Sequence, residues 1–286
     1  MVTVMQRNRN TKIIATLGPN SVSLDMIESL FQAGVDVFRL NFSHGNHQEH
    51  AQTITYIRSI EKKHDVPIAS MADLQGPKIR IGMFEHGSIV LKEGDAFCLD
   101  KHKKPGTKER VYLPHDAVFD ALQNGDHILL DDGKIKLIVQ EKGSDFILTI
   151  VERGGKLSSK KGVNLPDSKL PIPALTEKDK EDIAFCLTQD IDFIALSFIQ
   201  NTQDILDARA LIGDHAKIIS KIEKPQALEN IDDIILHSDG ILLARGDLGV
   251  EVNLQNVPMI QKDIIQRCRA LGRPVGVATQ MLESMI

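Results

Sequence analysis

GILLARGDLG, residues 240–249, opens on an unbroken apolar run, Ile241, Leu242, Leu243 and Ala244, and then breaks into Arg245-Gly246-Asp247. A run that short, with no polar alternation, reads as a strand buried on both faces, the kind found in parallel sheets. In a parallel α/β barrel the C-terminal strand ends face the active site, so the carboxylate of Asp247 is a candidate ligand there. Just upstream, Ile218-Ile219-Ser220 runs into Lys221-Ile222-Glu223. The two-residue period of a strand puts Lys221 and Glu223 on one face. Two carboxylates from neighbouring strand ends, with an ammonium beside them, suit a divalent cation and an anionic substrate.

Working outward, seven short apolar runs read as strands, at residues 12–17, 35–42, 68–74, 193–198, 217–223, 240–245 and 274–279. Segments with helical spacing lie between most of them. Leu24, Ile27, Leu30 and Phe31 form one stripe, with Gly34 placed as its C-terminal stop. Thr176-Glu177-Lys178-Asp179 has the form of a capping box ahead of Ile183 and Leu187. Val257, Ile260, Ile264, Ile265, Cys268 and Leu271 make the clearest stripe, closed by Gly272 and Pro274. Strand and helix in alternation predict a parallel sheet, closed or open.

One interval breaks this rhythm. From Leu74 to Phe193 is 119 residues, too long for a single crossover. Its middle is punctuated by Gly82, Gly87, Gly94, Gly125, Gly133, Gly143 and Gly154-Gly155, with short alternating runs at 88–91, 127–130, 134–139 and 146–151. That pattern predicts a small all-β domain inserted after the third strand. The expected division is 1–75 and 173–286 for the strand–helix part and 76–172 for the insertion. Leu165-Pro166 and Leu170-Pro171-Ile172-Pro173 read as an extended hinge.

A hydrophobic fraction of 42% over 286 residues is ample for one large or two ordinary domains. The net charge of −5 gives no global basic field for nucleic acid. No apolar run reaches membrane-spanning length. The start MVTVMQRNRN carries two arginines and no apolar segment, so no secretory signal is expected. Cys98, Cys186 and Cys268 are far apart and form no Cys-x-x-Cys, which suits unpaired thiols in a reducing cytoplasm.

Seven motifs in order, TKIIATLGPNS (11–21), FRLNFSHG (38–45), DLQGPKIRIG (73–82), SKKGVNLP (159–166), ISKIE (219–223), LARGDLGVE (243–251) and ATQMLESM (278–285), together resemble pyruvate kinase. The resemblance runs from near Thr11 to the last residue. It implies a (β/α)8 TIM barrel with a small β domain inserted after the third strand, in agreement with the reading of the long interval. With seven strands visible, that barrel is expected to be incomplete. The family continues past LESMI into an eighth strand and a C-terminal domain, and its full-length members form homotetramers. The expectation is a fragment, a truncated frame or a chain that needs a second piece, since a barrel short of one strand leaves two unpaired edges.

By this resemblance, Glu223 and Asp247 bind the Mg2+ (or Mn2+) that bridges phosphoenolpyruvate and the nucleotide. From strand-end carboxylates alone, an ordinary ion pair is an equal reading. Lys221 would stabilise charge on the transferring group. The alternative is an exposed strand-end lysine, which the apolar flanks Ile218, Ile219 and Ile222 argue against. Gly246 and Asp247 would open a short helix with N–H groups toward the substrate carboxylate, or form an ordinary turn. Thr279 matches the substrate-binding threonine and would orient the group that protonates the enolate. Without the family, a capping threonine is the preferred reading. Arg39 would hold a phosphate through paired hydrogen bonds. Asn41, Ser43, Asp73 and the Leu74 backbone would surround a monovalent cation. Asn41, Ser43, His44 and Arg80 would face the nucleotide, although His44 taken alone is a loop histidine. Lys161 would reach the ATP or ADP phosphates, where Lys156, Lys160 and Lys161 otherwise read as a solvated basic loop.

Many potassium-dependent members carry a glutamate where this chain has Lys78, and Leu74 replaces a threonine of the cation site. A Lys78 ammonium standing in for K+ beside Asp73 predicts activity without added K+. The expected function is phosphoryl transfer from phosphoenolpyruvate to ADP, giving pyruvate and ATP in glycolysis. One rival is a Mg2+-dependent aldolase acting on pyruvate enolates, which would need neither the insertion nor Lys161 and Arg80. A second is an incomplete barrel that binds metal or partner chains without turnover.

Overall fold

The computed structural model describes residues 9–168, 170 and 172–279. The 278–285 motif lies outside these residues beyond Thr279, as do Lys169 and Pro171 of the expected hinge region. Three strands come first, β1 (Ile14–Thr16), β2 (Val37–Asn41) and β3 (Ala69–Asp73), separated by α1 (Leu24–Ala33) and α2 (His47–His64). Local chemistry sets both helices. Ser23 caps α1 by accepting from the Met26 N–H, Ile27 and Phe31 form its buried face, and Gly34 closes it at a φ of 118°. Asn46 and Glu49 form a reciprocal capping box on α2.

The chain then builds β4 (Ser88–Leu91), β5 (Ala96–Asp100), β6 (Arg110–Tyr112), α3 (Asp116–Ala121), β7 (His127–Leu130), β8 (Ile135–Lys142), β9 (Phe146–Arg153), β10 (Gly155–Ser158) and β11 (Val163–Asn164). It returns through α4 (Glu177–Cys186), β12 (Phe193–Leu196), α5 (Thr202–Ile212), β13 (Lys217–Ile222), α6 (Pro225–Glu229), α7 (Ile231–His237), β14 (Gly240–Ala244), α8 (Arg245–Glu251), α9 (Val257–Ala270) and β15 (Val275–Ala278). The capping box expected at Thr176 is present on α4, with Asp179 as its reciprocal partner.

Among the described residues, seven strands form one sheet in the order β1-β2-β3-β12-β13-β14-β15, every pairing parallel. The sheet is curled. A Cβ placed on Gly276 of β15 would stand 3.7 Å from Ile14 Cδ1 of β1, at the opposite end of the strand order. The two-residue period then sorts the strand side chains. Ala72, Ile194, Ile218, Ile241 and Leu243 join helix residues such as Ile57, Ile205 and Ile264 in the main core. Met71, Ala195, Ile219 and Leu242 form a separate small cluster on the concave face. Each fully buried Ile or Leu contributes about 1.5–3 kcal/mol of apolar transfer, so this sorting holds the strands in register.

β4 to β11 make two further sheets, one of six strands in the order β11-β7-β8-β9-β5-β6 and a β10-β4 pair. They enclose a core of their own around Phe97, Leu99, Leu137 and Ile147. The all-β expectation needs one correction: α3 is a helix, seated in that core through Val118 and Phe119. All three cysteines are free, and burial pushes the Cys186 thiol up to about 12 and the Cys268 thiol up to about 11. Among the described residues no helix is long and apolar enough to cross a membrane.

Candidate active site

Register builds the site. Met71, Ala195 and Ile219 share the concave face, and two residues further along the same strands stand Asp73, Ser197 and Lys221. Met71 pairs across the sheet with Arg39 of β2, and Arg39 pairs with Thr16 of β1. These side chains converge. Arg39 Nε donates to Asp73 Oδ2 at 2.6 Å and its Nη1 to Thr16 Oγ1 at 2.7 Å. Lys221 Nζ stands 3.1 Å from Asp73 Oδ1 and 2.9 Å from Glu223 Oε1, and donates to Ser197 Oγ at 2.8 Å. Ser197 Oγ donates to the Leu74 carbonyl at 2.8 Å, and Glu223 Oε2 accepts from the Phe198 N–H at 2.8 Å.

The Asp73 and Glu223 side chains are each 1% exposed and that of Lys221 11%. Two carboxylates matched by one ammonium and one guanidinium form a balanced set, and losing any one member leaves a buried charge uncompensated. Burial acts to lower the Lys221 pKa, but the Glu223 and Asp73 carboxylates outweigh it and hold the ammonium above its usual range. Burial raises the Glu223 carboxyl, and Asp247 and Asp73 raise it further against the opposing pull of Lys221. Lys221 therefore stays charged, while Glu223 stands to gain from another cation.

Asp247 lies in the first turn of α8, near enough for its charge to act on Glu223. Among the described residues no three His, Cys, Asp or Glu side chains group to hold a metal. Mg2+ asks for only one or two carboxylates and takes its remaining oxygens from water and substrate. Glu223 and Asp247, near enough for one charge to raise the pKa of the other, are two carboxylates of the kind such an ion takes.

The other expected residues fall into local groups. Thr279 Oγ1 accepts from the Gly246 N–H at 2.8 Å, and Arg245 Nη2 donates to the Thr279 carbonyl at 3.2 Å. Thr279 Oγ1 thus holds the N–H expected to face a carboxylate, while the segment that Thr279 would cap lies outside the described residues. Asn41 Oδ1 accepts from the Ser43 N–H at 3.1 Å, and the His44 carbonyl meets His50 Nε2 at 3.1 Å. Arg80 Nη1 donates to the Lys160 carbonyl at 3.1 Å, and Lys161 Nζ pairs with Asp131 at 2.7 Å. Lys78 corrects an expectation: its ion pair is with Asp247, at 3.6 Å, and not with Asp73, which Arg39 and Lys221 already hold. Sequence reasoning missed Thr16, Ser197 and Phe198. A polar residue at the end of the apolar run FIALSF was the available signal for Ser197.

A family model described as pyruvate kinase, barrel domain, matches residues 8–286. A pyruvate kinase of Methylorubrum extorquens is 50% identical over 282 residues, covering 99% of this chain and 59% of the relative. One of Agrobacterium vitis is 48% identical over 284 residues, covering 99% and 59%. One of Geobacillus stearothermophilus is 45% identical over 283 residues, covering 97% and 48%. The chain thus spans from 48% to 59% of the length of these relatives.

Proposed function

The chain belongs to the pyruvate kinase family, and from that premise we propose that it serves Mg2+-dependent phosphoryl transfer from phosphoenolpyruvate to ADP, giving pyruvate and ATP in cytoplasmic glycolysis. We read the sheet of β1–β3 and β12–β15 as the seven-stranded part of a TIM barrel, and 76–172 as its lid. The observation that carries the reading is Lys221, a charged ammonium buried at a strand end between Asp73 and Glu223, with the Asp247 carboxylate near enough to act on Glu223.

Mg2+ or Mn2+, held by Glu223 and Asp247, would supply charge neutralisation at substrate and nucleotide oxygens. The chain's own groups do the remaining work. Lys221 and Arg39 offset the charge that gathers on the phosphoryl group as its bond to the enol oxygen breaks and its bond to the ADP β-phosphate oxygen forms. The Gly246 N–H passes from Thr279 Oγ1 to the substrate carboxylate. The hydroxyl released by that exchange orients the water that returns a proton to the enolate carbon. The lid brings Arg80 and Lys161 to the ADP phosphates, with Asn41, Ser43 and His44 on the barrel side, and excludes water that would compete as acceptor.

The test is Glu223→Gln and Asp247→Asn, each assayed for Mn2+ affinity by electron paramagnetic resonance and for pyruvate release. Both variants are expected to lose Mn2+ binding and most turnover. Lys221→Met is expected to lose turnover while retaining Mn2+. Full Mn2+ affinity in both carboxylate variants would overturn the metal assignment.

A further inference from the structure

The last turn of α8 is one place where the insertion lands on the barrel. Asn164 of β11 donates through Nδ2 to Glu251 Oε1 at 2.9 Å, joining residues 87 positions apart. In the neighbouring turn, a Cβ on Gly133 would stand 3.4 Å from Val250 Cγ1. That turn also carries Asp131, whose carboxylate holds Lys161 at 2.7 Å and whose N–H donates to the Gly162 carbonyl at 3.2 Å. On the barrel side, the same Glu251 Oε1 takes the ammonium of Lys224, the residue directly after Glu223. The Glu251 side chain is 1% exposed, and among the described residues its buried Oε2 has no hydrogen-bond partner. A carboxylate buried so deeply and only half satisfied is expensive unless its connections matter. One oxygen thus ties together the insertion, the strand end of Lys221 and Glu223, and the short helix whose first turn holds Asp247.

We propose that Glu251 is a positioning residue that couples the seating of the insertion, through Asn164, to the placement of Asp247 at the other end of α8. The inference rests on the phosphoryl-transfer reading above. Seating the insertion fixes the Asp131–Gly133 turn, and with it Lys161. The same contact braces α8, and with it Asp247. Nucleotide handle and metal carboxylate thus share this contact, and the Lys78–Asp247 pair joins the insertion to the first turn of the same helix.

Asn164→Ala tests this, because it removes the insertion's hydrogen bond and leaves the Glu251–Lys224 pair intact. Hydrogen exchange on the ligand-free chain is the first readout. Amides of residues 131–133 and of residues 246–251 are both expected to exchange roughly ten- to a hundredfold faster, the change that one hydrogen bond to a charged group carries, with α1 unaffected. A merely structural latch would loosen only the segments in contact, the insertion turn and residues 249–251, so unchanged exchange at residues 246–248, or no change in either segment, overturns the proposal. Glu251→Gln, as a second variant, is expected to weaken Mn2+ affinity without changing a ligand; unchanged affinity in folded protein counts equally against it. If the wild-type chain binds neither Mn2+ nor MgADP, the phosphoryl-transfer reading fails, while the exchange result still decides the coupling.

Discussion

Lys78 Nζ stands 3.6 Å from Asp247 Oδ1, which sets a lysine just past Gly76 against the carboxylate on the first turn of α8. The two side chains are 28% and 31% exposed, and a pair that wet adds at most about 1 kcal/mol to stability. Its consequence lies in binding, because a cation approaching Asp247 must displace or share with that ammonium. Lys78→Met is expected to leave the thermal midpoint almost unchanged and to tighten Mn2+ binding in the ligand-free chain. Weaker Mn2+ binding in this variant would mean that Lys78 helps to build the site.

Asp73 bears on monovalent-cation dependence. Its carboxylate is 1% exposed and is already met by Arg39 on Oδ2 and by Lys221 on Oδ1. A buried carboxylate between two fixed cations has little to gain from a third. Phosphoryl transfer is therefore expected to proceed without added K+ in buffer free of Na+ and NH4+. The check is a pyruvate-release assay across a K+ titration, and a strong activation would show that Asp73 still lacks a cation.

Gly76 marks the point where the chain leaves the barrel. Its φ is 65°, its N–H donates to Asp179 Oδ1 at 3.1 Å, and a Cβ there would stand 2.8 Å from Phe198 Cδ2 and 3.1 Å from the Ser197 carbonyl. Phe198 is poorly placed to yield, with a φ of 57° of its own and its N–H on Glu223. Gly76→Ala is expected to cost about 2–5 kcal/mol, the left-handed penalty plus overpacking. Gly94→Ala is the control: its φ is 85°, but nothing lies within 4 Å of the new Cβ. That variant is expected to lose only about 1–2 kcal/mol. Urea unfolding of both separates strain from crowding, and equal losses would remove crowding at Gly76 as a cause.

The seven parallel strands were legible because their apolar runs are short, bounded and separated by helical stripes. The expected 35–42 became Val37–Asn41, and 217–223 became Lys217–Ile222. Lys221 and Glu223 were legible as a pair because strand geometry alone puts them on one face. In the insertion, Ala96–Asp100, Arg110–Tyr112, Gly155–Ser158 and Val163–Asn164 were missed, and so was the helix Asp116–Ala121. The strands AFCLD and RVY are short and lack sustained alternation, and the helix has no side-chain cap. The pairings Lys78–Asp247 and Asn164–Glu251 were out of reach for a different reason. They depend on how one folded body sits on another, and no local period encodes that.

His50 supplies a stability profile with a definite sign. Its ring stacks on Phe42 with centroids 4.1 Å apart, and Nε2 meets the His44 carbonyl at 3.1 Å. Burial lowers its pKa below the ordinary 6.5, helped by His47 and opposed by the His44 carbonyl, Asp182 and Glu49. The folded chain thus binds this proton less readily than the unfolded chain does. The contribution to stability is complete above pH 6.5 and is lost as pH falls from there through the folded value. His115, also lowered by burial, adds a slope of the same sign. His50→Phe keeps a ring for Phe42 and removes the titration. The variant is expected to lose about 0.5–1.5 kcal/mol near neutral pH with the hydrogen bond to the His44 carbonyl, and to fall less steeply than wild type on acidification below 6.5. Thermal midpoints read from neutral pH down to mildly acidic pH check this. A variant that loses stability in parallel with wild type across that window would place the acid sensitivity elsewhere, with His115 the next group to replace.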